Sequence, residues 1–200
     1  MKNTFLKNAI NSVNLKKCKV GVIGLGYVGL PLSILFVKNN FKVIGFDTNK
    51  KKILSIKKNF SYLDRISNKD VKLLNENGKF FSNFKEIRKC DVIIICVPTP
   101  LKNNEIPDLS FLKKVINSIK KFLKKGQILI LESTSYPGTT EDEIYKKINK
   151  EFKIGTNFFL GFSSERINPG KNENSIQKVP KVVSGYSKNC LNVISNFYSK

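Results

Sequence analysis

The sequence predicts an α/β fold, a doubly wound and mostly parallel sheet with helices on both faces. Two observations carry this reading. Short apolar, β-branched runs alternate along the chain with stretches of helical spacing. The runs Asp91–Val97 and Gln127–Leu131 are apolar almost throughout, without the polar alternation of a strand that has one wet face. Strands of that kind are buried on both sides, as in a parallel sheet covered by helices.

The elements follow in order. Lys19–Ile23 reads as a strand broken at once by Gly24, and Tyr27–Asn39 spaces its apolar residues as a helix. Lys42–Phe46 is the next strand, ending at Asp47, so one βαβ unit is complete there; Asn49–Lys58 is helical through Ile53, Leu54 and Ile56. A polar helical stretch, Asn68–Glu76, precedes the strand Asp91–Val97, which stops at Pro98. Phe111–Leu123 puts Leu112, Val115, Ile116, Ile119, Phe122 and Leu123 on one helical face, Gly126 is the expected stop, and Gln127–Leu131 is the next strand. Glu141–Ile148 reads as a helix, Phe158–Phe162 and Lys181–Val183 as strands, and Ser187–Lys200 as the start of a helix cut by the chain end. The organisation expected is an N-terminal arm or helix over residues 1–17, one domain over 18–186 and a truncated helix over 187–200. A chain alternating in this way, without internal repeats, uses right-handed crossovers and binds ligands at the carboxyl ends of its strands.

Composition excludes several classes. The longest apolar stretches, such as Val92–Val97 and Ile128–Leu131, fall far short of the roughly 18 residues a membrane span needs, and residues 1–17 are too polar for a secretory signal, so a cytoplasmic protein is expected. Cys18, Cys90, Cys96 and Cys190 show no CxxC pairing and the chain has no histidine, which argues against a zinc site or a Cys–His nucleophile. Cys18 and Cys96 read as small buried hydrophobes. The net charge of +21 raises the alternative of a basic nucleic-acid-binding protein. The excess is nearly all lysine scattered along the chain, with only Arg65, Arg88 and Arg166 as arginines, so no specific nucleic-acid partner is expected.

The chemistry-bearing motif is Gly24-Leu25-Gly26-Tyr27-Val28-Gly29, a GxGxxG directly after a strand, opening a helix, with Asp47 at the end of the second strand. Gly24 permits a tight turn, Gly26 lets backbone approach a pyrophosphate, and Gly29 lets the helix pack close to the strand. The diphosphate then meets free N–H groups and the positive end of a helix dipole. Asp47 can accept hydrogen bonds from ribose hydroxyls, while its charge repels the 2′-phosphate of NADP, so a Rossmann-type domain binding NAD is predicted. FAD is the rival ligand for this fingerprint. The same residues could also form a plain strand–helix turn, with Asp47 capping the helix after it.

From this turn onward the chain resembles the UDP-glucose/GDP-mannose dehydrogenase family. The resemblance rests on ordered matches: Gly24–Pro31 (GLGYVGLP), Asp47 with Lys52, Val97-Pro98-Thr99-Pro100, Glu132–Thr140 (ESTSYPGTT), Phe162–Gly170 (FSSERINPG) and Val179–Gly185 (VPKVVSG). Tyr136-Pro137-Gly138 and the run Glu165–Gly170 resemble the members that oxidise UDP-N-acetylhexosamines more than the UDP-glucose dehydrogenases. The resemblance covers the chain from about Cys18 and implies only the N-terminal half of a family member, ending before the central dimer-forming helix and the second domain with its catalytic cysteine. Cys190 lacks the flanking glycines of that motif.

The resemblance implies a double oxidation, alcohol to aldehyde to carboxylate, consuming two NAD and passing through a cysteine thiohemiacetal and thioester. It implies cofactor contacts from Gly24, Gly26, Tyr27, Val28, Gly29, Asp47 and Lys52, from Val97, Pro98 and Thr99 against the cofactor ribose, and from Thr134. Thr134 would hold a water or the sugar near the nicotinamide, and Glu165 would orient or activate water for thioester hydrolysis. Serine stands at position 164 where the family usually has proline, which loosens the loop that aims Glu165. Arg166 would contact substrate or partner subunit, or form a surface ion pair. Without the resemblance, Thr134 would read as a capping hydroxyl before Pro137, Glu165 as a solvated carboxylate and Lys52 as one more surface lysine. The partners implied are a UDP-sugar, a C-terminal catalytic domain supplied within a longer chain or by a separate polypeptide, and a second copy in a full-length homodimer. A fragment that binds NAD without catalysis is the competing expectation.

Overall fold

The computed structural model describes residues 4–101, 107–164 and 180–200. Helix α1 (Thr4–Asn14) precedes β1 (Lys19–Ile23), α2 (Gly29–Lys38), β2 (Lys42–Phe46), α3 (Lys50–Lys57) and α4 (Asn68–Asn77). Then come β3 (Gly78–Phe81), β4 (Val92–Ile95), α5 (Ser110–Ile119), β5 (Ile128–Leu131), α6 (Lys146–Ile148), β6 (Phe159–Ser163), β7 (Val183–Gly185) and α7 (Lys188–Tyr198). The sheet order is β3-β2-β1-β4-β5-β6-β7, parallel throughout except for antiparallel β7. Strand order thus reverses between β1 and β4, the switch point at which open α/β sheets bind ligands.

The apolar strands have two faces to fill. Val20 and Val22 of β1, Val92 and Ile94 of β4 and Ile128 and Ile130 of β5 join one cluster with Leu30 and Ile34 of α2, Ala9 and Val13 of α1, and Val193, Ile194 and Phe197 of α7. Their alternates Ile23, Ile93, Ile95, Leu129 and Leu131 join a second cluster with Leu112, Val115, Ile116 and Ile119 of α5 and with Ile144 and Ile148. Every residue of β4 and of β5 is buried, which is why neither strand shows period-two polarity.

Several boundaries differ from the sequence expectation. Helix α2 begins at Gly29 rather than Tyr27, because Gly26–Val28 form the turn that precedes it. Strand β3 was not expected: it is a four-residue edge strand, Gly-Lys-Phe-Phe, with only Phe80 fully buried, and it exists by pairing with β2. The stretch expected to be helical from Glu141 is a π-helical segment, Thr140–Tyr145, continuing into α6. The last strand lies at Val183–Gly185 rather than Lys181–Val183, since Ser163 pairs with Val183 and leaves Lys181 outside the ladder.

Burial raises the Cys18 and Cys90 thiols to about 12, with the Asp91 charge adding to it. Unfolded thiols ionise near 8.5. Raised folded values mean stability that is complete below the unfolded pKa and lost as pH climbs toward 12, because above about 8.5 the unfolded chain releases protons that the folded one keeps. Denaturant titrations between pH 8 and 11 are therefore expected to show falling stability, and Cys90→Ala to show a shallower fall over that range.

Candidate cofactor-binding site

The carboxyl ends of β1, β4 and β5 emerge side by side, with Ile23 beside Ile95 and Ile95 beside Leu131. Gly24, Val97 and Thr134 follow on from these ends, so the topology brings the three segments expected to contact a cofactor to one edge of the sheet. Gly24 has φ +92°, and a Cβ there would lie 2.5 Å from the Cys96 carbonyl oxygen, so neither conformation nor space admits a side chain. A Cβ on Gly29 would sit 1.9 Å from the Gly24 carbonyl oxygen, which is the close helix–strand approach expected of the third glycine. Gly26 differs. A Cβ there meets nothing within 4 Å, so no protein atom accounts for the glycine and the open space beside it fits an approaching diphosphate. Among the described residues no hydrogen bond engages the Gly26 N–H.

Asp47 is the electrostatic centre of the turn. Its side chain is only 9% exposed; Oδ2 accepts from the Leu25 N–H at 2.9 Å and from Lys52 Nζ at 3.2 Å, and Oδ1 from the Asn49 N–H at 2.9 Å. The cap of α3 is Asn49, whose side chain accepts from the Lys51 N–H, so Asp47 is not the helix cap. Oδ1 keeps a lone pair for a ribose hydroxyl. Lys52 is tied to Asp47 instead of standing free in solvent.

The remaining expected residues are distributed as follows. Tyr27 is 69% exposed and Val28 packs partly against the core. Val97 is buried, Thr99 half-buried and Pro98 exposed where the chain leaves β4. Thr134 is exposed beyond β5; further along this loop the Thr139 hydroxyl accepts from the Tyr136 N–H at 3.2 Å and donates to the Tyr136 carbonyl at 2.7 Å. Glu165 and Arg166 lie outside the described residues.

Two groups escaped the sequence reading. Glu132, directly after β5 and 1% exposed, accepts from the Tyr198 hydroxyl at 2.5 Å and from the Lys181 ammonium. Burial and the Glu132 charge together raise the Tyr198 hydroxyl well above the ordinary tyrosine value, so it stays a donor. The available signal was a carboxylate flush with the end of a fully apolar strand, which demands a partner. The second group is Tyr62, whose hydroxyl donates to the Leu25 carbonyl at 2.6 Å.

A parallel sheet whose switch point carries this glycine turn and acidic residue defines a dinucleotide-binding Rossmann domain. The chain belongs to the UDP-glucose/GDP-mannose dehydrogenase family, matching its NAD binding domain over residues 18–200. It is 40% identical over 182 residues to Protein CapL of Staphylococcus aureus and 39% identical over 186 residues to a UDP-N-acetyl-D-glucosamine 6-dehydrogenase of Pseudomonas aeruginosa. These alignments cover 90% and 92% of this chain but 42% and 44% of the relatives. The solved UDP-N-acetyl-mannosamine dehydrogenase Cap5O of S. aureus superposes with a TM-score of 0.82 at 32% identity, over 90% of this chain and 45% of that one. The chain thus spans under half the length of the relatives it matches. Among the described residues no helix is long and apolar enough to cross a membrane, and no group of side chains could hold a metal ion.

Proposed function

We propose that this chain is the NAD-holding half of a UDP-N-acetylhexosamine 6-dehydrogenase, which oxidises the C6 hydroxymethyl of the sugar to a carboxylate in two NAD-dependent steps. The observation that carries the proposal is the side-by-side emergence of Gly24, Val97 and Thr134 from β1, β4 and β5, and the similarity to relatives named for UDP-N-acetylglucosamine and UDP-N-acetylmannosamine supports the choice of sugar. NAD, when bound, supplies the hydride acceptor. The backbone N–H groups of Gly26–Gly29 would face its diphosphate, those of Gly24 and Leu25 being donated to the Phe46 carbonyl and to Asp47, and Asp47, steadied by Lys52, would accept from the adenosine ribose and disfavour NADP. Val97, Pro98 and Thr99 would line the cofactor ribose, with Tyr27 and Val28 over the diphosphate. Thr134 would hold water or sugar, and Glu165 would activate water by accepting its proton.

We further propose that residues 1–200 alone turn over no UDP-sugar. The second oxidation needs a thiolate, and Cys18 and Cys90 are buried thiols raised to about 12. A cytoplasmic setting, a catalytic domain from beyond these residues and a homodimer complete the proposal. The test follows NADH absorbance with UDP-N-acetylglucosamine, UDP-N-acetylmannosamine and UDP-glucose, first with the chain alone and then with the cysteine domain of a relative added as a separate polypeptide. No turnover alone and turnover of a UDP-N-acetylhexosamine after mixing are expected. Turnover by the chain alone, or of UDP-glucose only, would count against the proposal.

A further inference from the structure

We propose that Tyr62 is a positioning residue for dinucleotide binding, acting through the Leu25 carbonyl to aim the Gly26 N–H at the diphosphate; the inference rests on the cofactor reading of the glycine turn. Tyr62 lies in the connection between α3 and α4, remote in sequence from the turn, and its hydroxyl donates to the Leu25 carbonyl oxygen at 2.6 Å. All peptide bonds described are trans. In a planar trans peptide the C=O and the following N–H point in opposite directions. Fixing the Leu25 carbonyl toward Tyr62 therefore turns the Gly26 N–H the other way, where among the described residues it finds no acceptor. A Cβ on Gly26 would meet nothing within 4 Å, so the turn is open beside this peptide.

The preceding peptide is fixed as well, since the Leu25 N–H donates to Asp47 Oδ2 at 2.9 Å. Lys52 closes the arrangement, with Nζ 3.2 Å from the same Oδ2 and 5.8 Å from the centre of the Tyr62 ring. Leu25 is therefore clasped at both polar groups by side chains from two different segments. The Tyr62 connection is itself anchored, the Ser61 N–H donating to Asn68 Oδ1 at 2.8 Å and the Ser61 hydroxyl to the Leu63 carbonyl at 2.9 Å. Burial, with the Asp47 charge second, raises the Tyr62 hydroxyl above the ordinary tyrosine value and keeps it protonated as a donor. A turn held in the binding conformation before the ligand arrives spends less affinity on ordering.

The test is Tyr62→Phe, which keeps the ring and its packing and removes only the donor. Calorimetry with NAD and with ADP-ribose is expected to show dissociation constants raised about three- to tenfold, the range of one lost hydrogen bond. Adenosine lacks the diphosphate and, titrated by NMR, is expected to bind both proteins alike; a merely structural role for Tyr62 would weaken all three ligands together. Equal NAD affinity in wild type and Y62F, or equal loss for adenosine, would overturn the assignment of Tyr62 while leaving the cofactor site in place. Failure of the wild-type chain to bind NAD would overturn the cofactor reading and this inference with it.

Discussion

Gly26→Ala is expected to leave the fold intact and to abolish useful NAD affinity. The added methyl meets no protein atom within 4 Å, so the melting temperature is expected to stay within about 2 °C of wild type, the range of a surface substitution. The same methyl occupies the space that a diphosphate needs in order to reach the backbone, and a loss of about 50-fold or more, over 2 kcal/mol, is expected by calorimetry. Gly29→Ala is the opposing control. Its Cβ would stand 1.9 Å from the Gly24 carbonyl oxygen, so helix and strand must part, and overpacking of this kind costs about 1–3 kcal/mol of folding stability or more. Unchanged NAD binding in the Gly26 variant would remove the diphosphate from this turn.

Lys181→Met is expected to destabilise the chain by about 3 kcal/mol, the lower end of the range for breaking a buried ion pair, because Glu132 is nearly sealed from water while Lys181 is 30% exposed. For a chain of this length that is a fall in melting temperature of about 6–12 °C. The double variant Glu132→Gln, Lys181→Met is expected to recover part of the loss, since it leaves no uncompensated charge under β5. Additive losses in the double-mutant cycle would show that the pair is not coupled. The Tyr198 hydroxyl remains in both variants and can still donate to position 132, so the recovery reports on charge and not on the loss of all partners.

The pair also ties segments together. Glu132 directly follows β5, Lys181 precedes β7 and Tyr198 ends α7, so a single buried carboxylate ties together the segments around three elements at the edge where Thr134 stands. Its loss is expected to loosen the site as well as the fold.

What the sequence by itself determined were the features governed by local rules. Strands β4 and β5 were legible because every residue in them is apolar, and the glycine turn because Gly24, Gly26 and Gly29 stand at fixed offsets between a strand and a helix, with Asp47 at the next strand's end. Family membership followed from motifs in order. Only the tertiary structure decided what depends on residues distant in the chain. Strand β3 has too few buried side chains to mark itself and is a strand because β2 offers it a ladder. Asp47 could be read as a ribose acceptor or a helix cap until folding placed the Leu25 N–H and Lys52 on one of its oxygens and left the cap to Asn49. Tyr62 meets Leu25, and Glu132 meets Lys181 and Tyr198, across long sequence separations that no periodicity encodes. The physical reason is common to these cases: a buried polar group must find a partner, and which partner it finds is settled by the packing of whole elements.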